Sequence, residues 1–303
     1  ALTLEASNAY TRQVRMLGGD GADVIRAGVG AGRYVGSLYV DGGSGSDLIE
    51  VGHVEGATAA GSGIDGGAGD DVIRVLDTFN GVGVFGNTRF AIAAGEGADR
   101  VELQGTQYNL LGDALNVVDG GAGFDTFVWN ARYDLNRNTD QVGVDATNPV
   151  FAKEIGVRNF EYLDIAGSGA SGRTVTLGAD DVAAITQGSD FDRSLLPDLG
   201  LSGVGHTLFV NVGAGNTLSL SGAWDAIGKT VYGGVTYTAL RQGDELLLVN
   251  SGSGDLRVAG SDLTLSGATL NAWAGSVVSG GAGDDALTLE ASNAYTRQVR
   301  MLG

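Results

Sequence analysis

GGAGDDVIR, residues 66–74, holds a turn and the start of a strand in nine residues. Its glycines permit the positive φ that tight turns need. An aspartate closes the turn at position six. Then Val72, Ile73 and Arg74 alternate as a half-buried strand does. The same wording returns along the chain as GGDGADVIR from Gly18, GGSGSDLIE from Gly42, AGEGADRVE from Ala94, GGAGFDTFV from Gly120 and GGAGDDALT from Gly280. The first five copies begin 24, 24, 28 and 26 residues apart. Between copies lie alternating runs, SLYVD, SGID, RFAIA, LNVVD and SVVS, that read as strands returning to the next turn. A unit of this length suits one coil of a two-stranded solenoid. The expected fold is therefore all-β, a parallel β-solenoid with its glycine–aspartate turns on one edge.

The composition agrees. Of 303 residues, 53 are glycine and only 2 proline, without the strict third-residue period of collagen. Hydrophobic residues make up 43%, too many for a disordered chain. The formal net charge is -18, from 36 acidic and 18 basic residues. That balance argues against nucleic acid and anionic membrane surfaces, and it suits a chain that binds cations. Cysteine is absent, which excludes disulfides, zinc–thiolate sites and a thiol nucleophile. No apolar run approaches the roughly 18 residues of a membrane span, so no membrane insertion is expected. No P-loop, HExxH, nucleophile elbow or dinucleotide fingerprint occurs, and no enzyme is expected.

A longer period encloses the short one. ALTLEASNAYTRQVRMLG occupies residues 1–18 and, letter for letter, residues 286–303. We expect the chain to be a window onto a tandem array: residues 1–130 the motif-rich coils, 131–279 a β-rich continuation or module, and 280–303 the start of the next copy. In the middle part NFEYLDI, RTVTL, TLFVNV, NTLSLSG, ELLLVN, DLRVAG and DLTLSG read as strands. GADDVAAITQ reads as a short helix near 179–187, with Asp180 and Asp181 at its start and Val182 and Ile185 apolar. SDFDRSLLPDLGLSGVG reads as a loop excursion.

The pattern GGxGxDxUx, with U a large aliphatic residue, resembles the RTX family of calcium-binding glycine-rich repeats, which form parallel β-rolls. The resemblance implies Ca2+ bound between stacked turns, since calcium takes six to eight oxygen ligands. By motif position the carboxylate ligands would be Asp23, Asp47, Asp71, Asp99, Asp125 and Asp285. Carbonyls near Gly19, Gly43, Gly67, Gly121 and Gly281 would add to them. The copy at Ala94 departs from the pattern, with Ala in place of the first glycine and Arg100 after its aspartate, which puts its site in doubt. The family's motif usually recurs every nine residues, whereas here it comes once per unit, so only one edge should carry ions and the other should hold loops. The middle stretch resembles a non-enzymatic module of large type I-secreted RTX surface proteins. Asn216 stands there where an Asp ligand would be expected.

These readings converge on a structural, calcium-stiffened spacer repeat of a giant extracellular bacterial adhesin or fibre, at the cell surface or in a biofilm matrix. Its partners would be calcium and adjacent copies of the repeat. The alternatives are a self-assembling subunit of a surface layer or matrix filament, and a carbohydrate-binding module using loops around Arg33–Tyr34 and Thr106–Tyr108. His53 and His206 read as surface residues. Trp129, Trp224 and Trp273 read as core. Tyr34, Tyr39 and Tyr108 are expected in or near variable loops.

Overall fold

The computed structural model describes residues 1–4, 13–30, 34–35, 37–55, 63–76, 79–80, 91–103, 117–129, 157–166, 174–196, 199, 201–222 and 224–250, with backbone strands at 255–259, 263–265, 277–279, 287–289 and 300–302. Among these residues the chain is all-β, mostly strands in parallel sheets, with one α-helix, Ala179–Ile185, and a 3-10 turn, Arg193–Leu195.

Each of the first five motifs joins two sheets. The strand entering the turn, such as Gly63–Ala68, belongs to a six-stranded parallel sheet, and the strand leaving it, such as Val72–Val75, belongs to an eleven-stranded one. Successive units pair in register, so equal motif positions lie side by side. Ile25, Ile49, Ile73, Val101, Phe127, Leu163, Val210 and Val249 form one such column, each at most 2% exposed. Met16, Val40, Ile64, Ile92, Val118 and Val157 form the facing column on the other sheet. The two columns share one hydrophobic core. A period-two strand dictates this: position eight of every motif faces inward, and positions seven and nine face outward.

Position nine makes a charged column on the outer face. Its residues run Arg26, Glu50, Arg74 and Glu102 on adjacent strands. Arg26 Nε lies 2.6 Å from Glu50 Oε2, Arg74 lies 3.5 Å from Glu50 and 3.1 Å from Glu102, and Arg100 Nε lies 2.6 Å from Glu102 Oε1. Arg100 then reaches past the next strand to Asp164 Oδ2 at 3.2 Å. The arginine that departs from the repeat pattern thus continues an alternating ladder. A slip of one unit would set Arg26 beside Arg74 and Glu50 beside Glu102, and like charges on neighbouring strands repel.

The middle of the chain keeps building the wide sheet through Tyr162–Asp164, His206–Asn211 and Glu245–Asn250. There the sheet stops being parallel. An antiparallel hairpin, Asp225–Tyr232 with Val235–Gln242, closes its far side, a reversal that the alternating runs do not announce. With the loop after the helix, the hairpin covers the outer face with a second core that includes Phe191, Phe209, Tyr237 and Leu248. Phe124, at position five of the fifth motif, sits 5.5 Å from Phe209 and 5.6 Å from Tyr232 between ring centroids. The helix ends two residues short of the expected 187. Gly178 N–H donates to Asp181 Oδ2 at 2.7 Å, and Val182 and Ile185 are fully buried. Trp224 is core as expected.

Three expectations change. Tyr39 lies on the strand Ser37–Ser44, with the Arg15 guanidinium 4.9 Å above its ring, because the alternation of SLYVD runs on into the turn. His206 begins a strand and is half-buried, its Nδ1 3.2 Å from Thr186 Oγ1. The side away from the motif turns, expected to hold irregular loops, carries a three-stranded parallel sheet, Tyr34–Val35, His53–Glu55 and Phe79–Asn80. Tyr108 and Trp273 lie outside the described residues, and the side chains of Tyr34, His53 and Trp129 are likewise not described.

Reversing the sign of one rung tests the charged ladder. Glu50→Arg is expected to destabilise the fold by roughly 1–2 kcal/mol in urea unfolding. Adding Arg74→Glu to that variant should recover part of the loss.

Candidate metal centre

The turns stack as tightly as the strands. Gly43 and Gly67, at motif position two, adopt φ of +100° and +103°. A Cβ on Gly67 would stand 2.0 Å from the carbonyl oxygen of Gly43, so the stacking itself demands glycine. The position-four N–H groups bond to the next turn, Gly21 to Ser44 O at 2.6 Å and Gly45 to Ala68 O at 2.7 Å.

The motif aspartates form a chain of their own. Each donates its backbone N–H to the carboxylate of the aspartate one turn further on. Asp23 bonds to Asp47 Oδ1 and Asp47 to Asp71 Oδ1, both at 2.7 Å; Asp71 bonds to Asp99 Oδ1 and Asp99 to Asp125 Oδ1, both at 2.8 Å. One oxygen of each carboxylate is thus spent on stacking. The doubted copy at Ala94 is a full member. The remaining oxygens, Oδ2 of Asp47, Asp71, Asp99 and Asp125, are buried without a hydrogen-bond partner. The four residues are at most 3% exposed.

The free oxygens of Asp47, Asp71 and Asp125 each border a cradle left by a missing side chain, whereas Ala94 fills the corresponding place beside Asp99. The place where a Cβ on Gly42 would sit is 2.5 Å from Asp47 Oδ2 and 2.3 Å from Gly66 O. On Gly66 the corresponding distances are 2.6 Å to Asp71 Oδ2 and 2.1 Å to Ala94 O. On Gly120 they are 2.8 Å to Asp125 Oδ2 and 2.0 Å to Asn159 O. The carbonyl of motif position one therefore points back toward the preceding turn's free carboxylate oxygen. The position-two carbonyls of Gly19 and Gly43 point the other way, onto the glycine of the following turn. Gly121 occupies the same column, its own Cβ position facing Gly95 O. Asp285 and Gly281 lie outside the described residues.

A further turn, without the motif, stacks on the fifth. Residues 158–164, RNFEYLD, lack the glycine pair, yet they stack on the fifth motif. Asn159 takes the place of the first glycine with φ 56°, a conformation that Asn tolerates better than most residues. Glu161 takes the place of the aspartate, its Oε2 accepting Asp125 N–H at 2.7 Å. The longer side chain compensates for a shorter turn. An acid just before the alternating YLD was the only signal.

Desolvation dominates the titration of this ladder. Burial raises Asp71 to about 7, Asp99 to about 6 and Asp125 to about 7, opposed by the backbone N–H each accepts and aided by neighbouring carboxylates. Burial raises Glu161 as well. Two species satisfy such a column: protons, or a hard cation held by carboxylate and carbonyl oxygens. Among the described residues no three Asp, Glu or His side chains are grouped so as to hold a metal ion. A cation here would draw on backbone carbonyls for most of its shell, and the glycine cradles suit that. Asn216 instead donates Nδ2–H to Val212 O at 3.0 Å. Among the described residues no helix is long and apolar enough to cross a membrane.

Compared with protein-family models, curated proteins and solved structures, the chain finds no match.

The raised values fix a sign. A carboxyl whose folded pKa exceeds its unfolded value stabilises the fold at low pH and loses that contribution as pH rises through the folded value. In metal-free buffer the melting temperature is expected to fall between pH 4 and about 7, the window set by Asp71, Asp99 and Asp125. Thermal melts across that range check it. A melting temperature that rose across the window would show that the ladder ionises at no cost.

Proposed function

We propose that the stacked sheets are the walls of an RTX-type β-solenoid, and that the chain is a spacer repeat of an extracellular fibre or adhesin, stiffened by calcium between its turns. The role is mechanical rather than catalytic. One observation carries the reading: a file of buried carboxylate oxygens without partners, one per turn, those of Asp47, Asp71 and Asp125 each beside a glycine cradle and an inward carbonyl. A buried, unpaired carboxylate is costly. Calcium in the cradles would neutralise the file and bind neighbouring turns together.

The residues fit that ion. Asp47, Asp71, Asp99 and Asp125 would supply Oδ2, and Gly66, Ala94 and Asn159 would supply carbonyls. Calcium's chemistry here is charge neutralisation by oxygen ligands. The chain's own part is to hold the oxygens in file. Oδ1 is tied to the preceding turn, so Oδ2 is aimed before any ion arrives. Few charged ligands per site match the weak affinities of extracellular calcium modules, about 10⁻⁴–10⁻³ M. At the low calcium of a cell interior the uncompensated file would weaken the fold, and calcium outside would secure it. The same logic suits export before folding.

Asp71 separates the two roles of the aspartate. In Asp71→Asn an amide oxygen still accepts the Asp47 N–H, but the charge is gone. At pH 8 without metal this variant should be at least as stable as the parent, and it should gain less melting temperature on adding calcium. Asp71→Ala loses the rung and should be less stable in both conditions, by about 1–3 kcal/mol. Equal calcium gains in all three proteins would sink the calcium reading. X-ray scattering of two tandem copies should show the maximum dimension about doubling over one copy in calcium, as stacked strands add length along one axis.

A further inference from the structure

We infer that Glu161 closes the carboxylate file without a cation, with Ser189 as its positioning residue, and that the helix, hairpin and strands packed behind it keep their fold when calcium leaves. The inference rests on the calcium reading above, and it names the place in the chain where dependence on the ion stops.

The contrast lies in what each carboxylate accepts. Asp47, Asp71, Asp99 and Asp125 each take one backbone N–H on Oδ1 and have nothing on Oδ2. Glu161 is as deeply buried, at 1% exposed. It takes the Asp125 N–H on Oε2 at 2.7 Å and the hydroxyl of Ser189 as well, and it leaves no buried oxygen without a partner. Both donors favour the ionised carboxylate. A hydroxyl from the fold thus satisfies the acceptor that an ion would satisfy in the earlier turns.

The helix fixes the loop that carries this hydroxyl. Ser189 N–H donates to Thr186 O at 3.0 Å. Ile185 O and Gln187 O accept the N–H groups of Phe160 at 3.1 Å and Asn159 at 3.3 Å. Gly188 lies against the same turn with φ +94°, and a Cβ there would stand 2.0 Å from Asn159 Oδ1. In the motif turns the next carbonyl in the stack faces a free carboxylate oxygen. Here the carbonyls at the helix end are spent on the turn itself. Asp190 is close enough to push both Asp125 and Glu161 up, yet among the described residues no three acids are grouped so as to hold an ion.

The strands behind Glu161 are tied together by the same kind of direct bond. Phe209 N–H donates to Glu161 O at 2.7 Å, and Asn211 Nδ2 donates to Asp164 Oδ1 at 3.1 Å. Leu163 and Val210 fill the inner core, and Phe209 fills the second one. Loss of calcium therefore burdens the turns from Asp47 to Asp125 and spares this platform. Proteins open first where local stability is lowest, so opening starts in the motif turns and halts at Glu161.

Hydrogen exchange of the full chain, in calcium and in chelator, reads that boundary. Peptides covering Val24–Ala27, Leu48–Val51 and Val72–Val75 should exchange roughly tenfold faster or more in chelator, while those covering His206–Asn211, Val235–Gln242 and Glu245–Asn250 change by about twofold or less. Glu161→Gln keeps an oxygen for the Asp125 N–H. It should bind as many calcium ions as the parent in equilibrium dialysis, whereas Asp125→Asn should bind one fewer. Ser189→Ala should make Tyr162–Asp164 respond to chelator, and Ser189→Thr, which keeps the hydroxyl, should restore the parent pattern. With calcium bound by the parent, three results overturn the inference alone. They are loss of protection by both groups of peptides together, loss of an ion in Glu161→Gln, and a parent-like pattern in Ser189→Ala. A parent that binds no calcium and exchanges alike in both conditions rejects the calcium reading, and the inference falls with it.

Discussion

Each turn is held by a carboxylate that belongs to the next. The Asp47 side chain accepts the backbone N–H of Asp23, Asp71 that of Asp47, and so on to Glu161. This bond fixes the pitch of the stack. It also removes one carboxylate oxygen from solvent chemistry and strands the other in a buried cradle. The core columns, the glycine contacts and the outer ladder of arginine and glutamate all follow from turns set one strand apart.

The constraint carries a cost that shapes the protein's behaviour. Four carboxylate oxygens lack partners in residues at most 3% exposed, and burial holds Asp71, Asp99 and Asp125 toward the protonated state. The fold therefore becomes dependent on whatever neutralises that file. Outside the file, charge is handled differently: Arg26, Glu50, Arg74, Glu102, Arg100 and Asp164 neutralise one another on the surface. The inner column has no such partner in the fold, and the outer one is self-sufficient.

The middle of the chain shows how far stacking can proceed without the motif. Tyr162–Asp164, His206–Asn211 and Glu245–Asn250 extend the wide sheet although no glycine pair precedes them. Of their outward residues, Tyr162 and Phe209 are larger than Val24, Leu48 and Val72 at the same column, and Leu248 is larger than the two valines. They gather a second core under the hairpin and the loop after the helix. Phe124 anchors that core to the fifth turn. The motif turns and the covering lobe are thereby mechanically joined.

Much was legible in the residues alone. Alternation announced nearly every strand, the recurring glycines announced the turns, and Asp180, Val182 and Ile185 announced the helix, because these signals are local. The motif spacing placed the aspartates one above another. Three things came only from tertiary structure. Glu161 joined the ladder without its motif, since what qualifies it is position after folding, not the letters around it. Arg100 read as a defect until the fold brought Asp164, two strands further on, to 3.2 Å from it. The hairpin Asp225–Tyr232 with Val235–Gln242 reversed the strand direction, which no alternating pattern encodes. Sequence determined which residues face the core and which face the turn. Only the packed stack decided which oxygen of each aspartate is used and which is left over, because that depends on a partner 24 to 36 residues away.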